Sequence, residues 1–313
     1  MTKALYVLLT VWGLIVACVQ LYAEVSPNSV DCIVAVRPWF RSKPGCALIE
    51  ISGMRASADT ANAITQRLAA FDEDAVSYLI LSHHAALYVP PKIQKLRYLV
   101  GLKMDNVTLI EWNEDAALTQ THHPRARFVF LVRFNATSIP AGLLSSDFPE
   151  LLLDVEICVS TLSDVPSNLP SVWSPGAWLL LEHSNFTTVP DVLVDMKLTF
   201  LSLSFNEITT VPAGLFTNPW MTMIGLSGNP ISQLPEIPVE NLTSLVLLSL
   251  DSTNLLVLPS WMDDAFFART VLYLGNSPHC KVFGCNRQYL DSEQDDCRRL
   301  HQIDENRESS STR

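Results

Sequence analysis

The sequence predicts an α/β solenoid of about ten stacked turns, and three observations carry that expectation. The stretch Leu198-Thr-Phe-Leu-Ser-Leu-Ser-Phe-Asn-Glu-Ile-Thr-Thr-Val-Pro212 sets apolar residues at Leu198, Leu201, Leu203, Ile208 and Val211. The same spacing recurs on both sides of it at a period of about 23 residues, the mark of a repeat array. Within each unit two apolar residues stand two apart, as Leu201 and Leu203 do, so both side chains fall on one face of a short strand. One unit alone buries too little of that face; neighbouring units must stack and share a continuous core.

Taken in order, Ile49 and Ile51 read as the first strand, and Ser57-Ala-Asp-Thr opens a helix with Ile64, Leu68 and Phe71 on one face. Val76, Leu79, Leu81, His84, Val89 and Pro90 make the next turn; Leu99, Leu102, Met104, Val107, Leu109 and Trp112 follow. After a longer insertion come Val129 and Leu131, ending at Ile139 and Pro140, where a register slip of one would turn Phe130 and Val132 inward instead. Leu152, Val155 and Ile157 lead to Pro166, Leu179 and Leu181 to Pro190, and then the stretch around Leu201. Ile224 with Leu226, Leu248 with Leu250, and Leu272 with Leu274 complete the series.

These residues resemble the leucine-rich repeat. The resemblance covers about residues 49–278 and implies a curved horseshoe with short parallel strands on its concave face. It also implies cysteine caps at both ends, 24–48 and 279–297. Cys32 and Cys46 precede the first strand and are expected to pair; Cys280, Cys285 and Cys297 follow the last. Three cysteines leave one odd, with Cys158 the remaining candidate, so the C-terminal pairing stays open. Asparagine holds the turn position only at Asn206 and Asn229, while His84, Ser160, Ser184 and Thr253 stand elsewhere, which predicts a less regular horseshoe. Pro38-Trp39-Phe40, Cys46 and the irregular turns are also similar to uncharacterised leucine-rich repeat proteins of filamentous eukaryotic microbes, whose repeat region resembles a receptor ectodomain held by membrane helices.

Lys3 and the apolar run that follows, up to Ala23, read as a signal peptide over 1–23 or as a signal anchor, with 4–23 a possible membrane tether. Either route places the repeats outside the cytosol. Asn106, Asn135, Asn185 and Asn241 each begin an Asn-x-Ser/Thr glycosylation site. From Arg298 to Arg313 the polar chain has no apolar periodicity and reads as a disordered tail.

The net charge of −11, with no clustered Lys and Arg, argues against nucleic acid as a partner. Residues flanking the inward leucines project onto the concave face, and among them Tyr78, Asp154, Glu156, Trp178, Glu182, Phe200 and Tyr273 form a candidate surface for a protein or peptide ligand. Trp178, Phe200 and Glu182 are its expected centre; the competing role for the two aromatics is lateral packing between strands. His83-His84 and His122-His123 are adjacent pairs, and on a strand such rings point to opposite faces, so no metal site is expected. No nucleophile with its base, phosphate loop or carboxylate pair of defined geometry suggests an enzyme, and no cofactor is expected. The expected function is a non-enzymatic extracellular or cell-surface binding module; the alternative is an intracellular scaffold or regulator of a signalling protein.

Overall fold

The computed structural model describes residues 2–25, 29–36, 43–55, 61–238, 240, 242 and 245–284. One sheet runs through the repeats with its strands in sequence order. β1 (Cys32–Val36) lies antiparallel to β2 (Gly45–Ser52). From there every pairing is parallel: β3 (Tyr78–Tyr88), β4 (Gly101–Glu111), β5 (Phe128–Asn135), β6 (Asp154–Ser160), β7 (Ala177–Glu182), β8 (Leu198–Ser202), β9 (Met223–Gly225), β10 (Leu247–Ser249) and β11 (Val271–Tyr273). The ten parallel strands β2–β11 are the ten turns of an open leucine-rich repeat solenoid. Short helical turns connect them, such as Pro91–Lys95, Ala141–Leu143, Asp191–Asp195 and Gly214–Thr217.

The register explains the sequence spacing. Ile49, Leu79, Leu102, Val129, Val155, Leu179, Leu201, Ile224, Leu248 and Leu272 align across the sheet. All are buried. Val129 and Leu131 are the inward pair of β5, which removes the alternative slip; Phe130 faces the other way. A second wall, including Val165, Val189, Val211 and Leu234, closes the core from the return side. Three large buried indoles help fill it, and each satisfies its N–H on a backbone carbonyl: Trp112 on Ala116, Trp173 on Leu143 and Trp261 on Pro235. Gly142 is required beneath Trp112, because a Cβ there would lie 2.0 Å from the indole nitrogen.

At the N-terminal end Cys32 and Cys46 form a disulfide with Cα atoms 5.8 Å apart. The expected cap at 24–48 therefore overlaps the sheet, since Cys46 already belongs to β2. Helix α2 (Ala61–Ala69) lays Ile64 and Leu68 on the core. Its Arg67 reaches back to the cap, donating Nε and Nη2 to the carboxylate of buried Asp31 and Nη1 to the Ser52 carbonyl at 3.0 Å. Such a bidentate pair fixes the cap on the first turn. At the other end Ser277 caps a six-residue helix, Pro278–Phe283, that carries disulfide-bonded Cys280. Trp39, Phe40, Cys285, Cys297 and the 298–313 tail lie outside the described residues. Helix α1 (Thr2–Val25) precedes the cap, and its Lys3–Leu21 portion is apolar and long enough to cross a membrane.

Candidate functional site

Side chains that point away from the core fall into three rows along the concave face. The first row runs Tyr78, Gly101, Phe128, Asp154, Trp178, Phe200, Met223, Leu247, Val271. The second contains Ile80, Lys103, Phe130, Glu156, Leu180, Ser202 and, at its far end, Tyr273. The third contains Ser82, Asp105, Val132, Cys158 and Glu182, each one residue before the point where its chain turns.

The first row is the open one. Trp178 is 45% exposed and meets Phe200 edge to face at 5.9 Å, so it packs laterally and still presents half its surface. Asp154 is its direct neighbour on β6, and Glu156 stands two residues along on the same face. The structure therefore brings Asp154, Glu156, Trp178 and Phe200 together. Tyr78 belongs to a second aromatic group on the far side of the carboxylates: it stacks on Phe128 at 6.0 Å, and Phe128 stacks on Phe130 at 4.6 Å. Gly101 makes this possible, because a Cβ there would sit 2.1 Å from the Phe128 ring. Phe128 and Gly101 do not stand out in the sequence, and Phe130 does only as an inward alternative, since the insertion before β5 hides their register. Tyr273 is not part of either group; it lies on β11, four strand spacings or about 19 Å from Trp178.

Glu182, expected at the centre of that surface, is not open. It is 5% exposed, and its Oε1 accepts a hydrogen bond from Ser202 at 2.5 Å, with Ser204 behind at 3.1 Å. A similar polar ladder joins Ser227, Ser249 and Asp251 further along. The cause lies in neighbours twenty or more residues away, which alternation along one strand does not reveal.

Beyond the third row the chain turns sharply, and each turn from β3 to β11 places one residue in the left-handed region: His83, Asn106, Arg133, Val159, His183, Phe205, Gly228, Ser252 and Asn276, with φ between 48° and 68°. His83 and His183 therefore do occupy one place in the repeat. His183 stacks flat on Phe205 at 4.4 Å, and Gly228 lets that ring lie close. His84 takes the asparagine position and bonds the Ile51 carbonyl of the previous turn at 3.0 Å. His122-His123 lies in the loop between β4 and β5, not on a strand. Buried His123 bonds the Ile93 carbonyl through Nε2 and accepts from the Thr119 amide at Nδ1, which describes a neutral ring. Burial lowers its pKa to about 4, opposed by the Ile93 bond and helped by the charge of His122.

The side chains of Asn106, Asn135 and Asn185 are exposed, and Asn241 lies outside the described residues. Cys158, in the third row, is fully buried and disulfide-bonded.

This geometry has counterparts among solved structures. The chain is similar over 74% of its length to TLR13 in a complex with the RNA ssRNA13, with TM-score 0.56 and 16% identity, covering 31% of that chain. A leucine-rich repeat protein of Leptospira interrogans matches over 74% of this chain and 61% of its own, with TM-score 0.52 and 18% identity. The leucine-rich repeat domain of the type III effector XopL matches over 76% and 78%, with TM-score 0.53 and 17% identity. The chain thus spans about a third of TLR13 and less than two thirds of the Leptospira protein. No family model and no curated protein matches the sequence. The fold is that of the leucine-rich repeat proteins.

Proposed function

We propose that this chain is a non-enzymatic binding module that takes a protein or peptide ligand on its concave face and works outside the cytosol. The observation that carries the reading is the half-exposed Trp178 braced by Phe200, with Asp154 beside it on the open row and Glu156 one row further in. A rigid aromatic anchor with carboxylates next to it suits a segment that offers an apolar side chain flanked by basic groups. The net charge of −11 disfavours a phosphate backbone as ligand. The apolar α1, the Cys32–Cys46 disulfide and the exposed Asn106, Asn135 and Asn185 support a secretory route, with α1 as leader or membrane tether. An intracellular scaffold is the second reading, and the disulfide weighs against it.

Two measurements test this. Expression of the full chain in a eukaryotic secretory host, followed by intact mass and N-terminal sequencing of medium and membrane fractions, should yield glycosylated protein either starting near Glu24 or retained with α1 attached. An unglycosylated cytosolic product with free Cys32 and Cys46 thiols would sink the extracellular part. Peptides selected from a displayed library against the wild-type protein should bind Trp178→Ala at least about tenfold more weakly, a loss of more than about 1 kcal/mol. Unchanged affinity removes Trp178 from the site.

A further inference from the structure

The edge of the sheet where the strands begin carries a surface that the concave rows do not use. Arg125 and Arg127 flank the buried Ala126 just before β5, so alternation turns both side chains outward. Backbone bonds fix their neighbours: the Arg127 amide donates to the Val100 carbonyl of the preceding turn at 2.8 Å, and the Leu153 amide of the next turn donates to the Arg127 carbonyl at 3.1 Å. The Arg125 guanidinium lies over the Tyr98 ring, 4.5 Å from its centroid. Tyr98, Leu151 and Leu153 are 39%, 44% and 36% exposed. Three adjacent turns thus set two exposed arginines between an exposed tyrosine and two exposed leucines, with exposed Arg97 adjoining Tyr98 in the chain.

Ion pairs among the described residues engage Arg55, Arg67, Lys92 and Arg133, and none of Arg97, Arg125 and Arg127. The same turns leave the sheet at the opposite edge with exposed Glu111, Glu114, Asp115 and Asp164. Charge is therefore divided across the width of the solenoid, and an acidic group is drawn to the arginine edge although the chain as a whole, at −11, repels it. Stacking on Tyr98 holds the face of the Arg125 guanidinium and leaves its edge of N–H donors for a carboxylate. The exposed sequon residues Asn106, Asn135 and Asn185 stand where the strands end. Sugar attached there would leave the arginine edge clear and cover the acidic edge that a second copy of this chain would have to offer.

We propose that this edge, over β4 to β6, is a second interaction surface that binds an acidic segment of a partner protein, with carboxylates on Arg125 and Arg127 and apolar side chains against Tyr98 and the Leu151 and Leu153 pair. Glu150 and Asp154 bracket the leucines in the chain, so like charge keeps the partner's carboxylates on the arginine side. The surface stands independently of the Trp178 reading, which calls for basic groups.

Short peptides selected from a displayed library on the full wild-type chain, and counter-selected on Arg125→Ser with Arg127→Ser, test this. The expected peptides hold two or more Asp or Glu beside a large apolar residue, and bind the double variant at least about tenfold more weakly. Raising NaCl from about 0.05 to about 0.5 M should weaken wild-type binding several-fold. Arg125→Lys with Arg127→Lys should fall between, keeping the charge but losing the planar fork. Trp178→Ala should leave the affinity of these peptides unchanged. Both arginines are exposed, so the serine pair should keep the wild-type circular dichroism; if it does not, the lysine pair and the salt series decide.

Equal binding to wild type and variants, or an equal loss in Trp178→Ala, overturns the proposal. Vesicles of phosphatidylserine and phosphatidylcholine that bind the wild type but not the double variant, with no acidic peptide selected, overturn it by assigning the edge to a lipid surface. Self-association of the wild type in analytical ultracentrifugation that the double variant abolishes overturns it by assigning the edge to a second copy.

Discussion

The turns around Asn206 and Asn229 and those from His84 to Ser184 build the same backbone with different chemistry. Asn206 donates from Nδ2 to the carbonyls of Leu181 and Leu203 at 2.8 and 2.9 Å and accepts from the Phe186 amide at Oδ1, so one amide group ties two turns. Asn229 does the same with Leu203, Leu226 and Ile208. Ser160 and Ser184 join their turns through one hydroxyl-to-hydroxyl bond of 2.8 Å, and Thr253 reaches only its own Leu250 carbonyl. Yet the left-handed residue recurs in both regions at nearly the same φ. The turn geometry is therefore set by stacking of successive strands, and the side chain at the ladder position decides how strongly one turn holds the next.

The sharpest way to break this comparison is to remove both kinds of side chain. Asn206→Ala strips four buried hydrogen bonds and leaves backbone groups without partners, which should cost about 3 kcal/mol or more. Ser184→Ala loses the hydroxyl bond shared with Ser160 and a 3.3 Å bond to the Glu182 carbonyl, and should cost about 1 kcal/mol. Chemical denaturation of the two variants measures the difference. Equal losses would mean that the asparagine adds nothing beyond the hydroxyl.

The insertion before β5 offers a comparison of another kind, since it replaces ladder chemistry with a buried imidazole. His123 is neutral in the folded protein, with a pKa near 4 against about 6.5 in the unfolded chain. The unfolded state takes up the proton first as pH falls. The stability held above pH 6.5 is therefore lost progressively between about 6.5 and 4, amounting to about 3 kcal/mol for this group. His123→Gln should flatten that part of the profile of unfolding free energy against pH. An unchanged slope would assign the acid sensitivity to other groups.

These contrasts also mark what could be read in advance. Leu201 with Leu203, and their equivalents in every turn, were legible because alternation on a strand is local and the period repeats it. The three rows follow from the same rule, and it places Asp154, Glu156, Trp178 and Phe200 near one another on one face. Glu182, expected at the centre of the surface, is buried instead because it is held by Ser202, with Ser204 behind, in the next turn. The Tyr78–Phe128–Phe130 stack depends on Gly101, whose missing side chain means something only once β4 and β5 are in register. The antiparallel β1 falls outside the repeat period and gave no alternating pattern to read.

The left-handed position is the least legible of all, since His, Asn, Arg, Val, Phe, Ser and Gly all fill it. If stacking imposes that conformation, the residue worst suited to it must carry strain. Val159 is that residue: it is β-branched, has φ of 54° and is 41% exposed, so it gains little from burial. A left-handed conformation costs an L-residue about 1–2 kcal/mol, and glycine escapes this while losing about 0.5–1 kcal/mol of chain entropy on folding. Val159→Gly should therefore raise stability by about 0.5–1 kcal/mol, a small rise in Tm measurable by calorimetry. A fall in Tm would show that Val159 contributes more through its contacts than the turn costs it, and the left-handed position would then be shaped by its residues as well as by the stack.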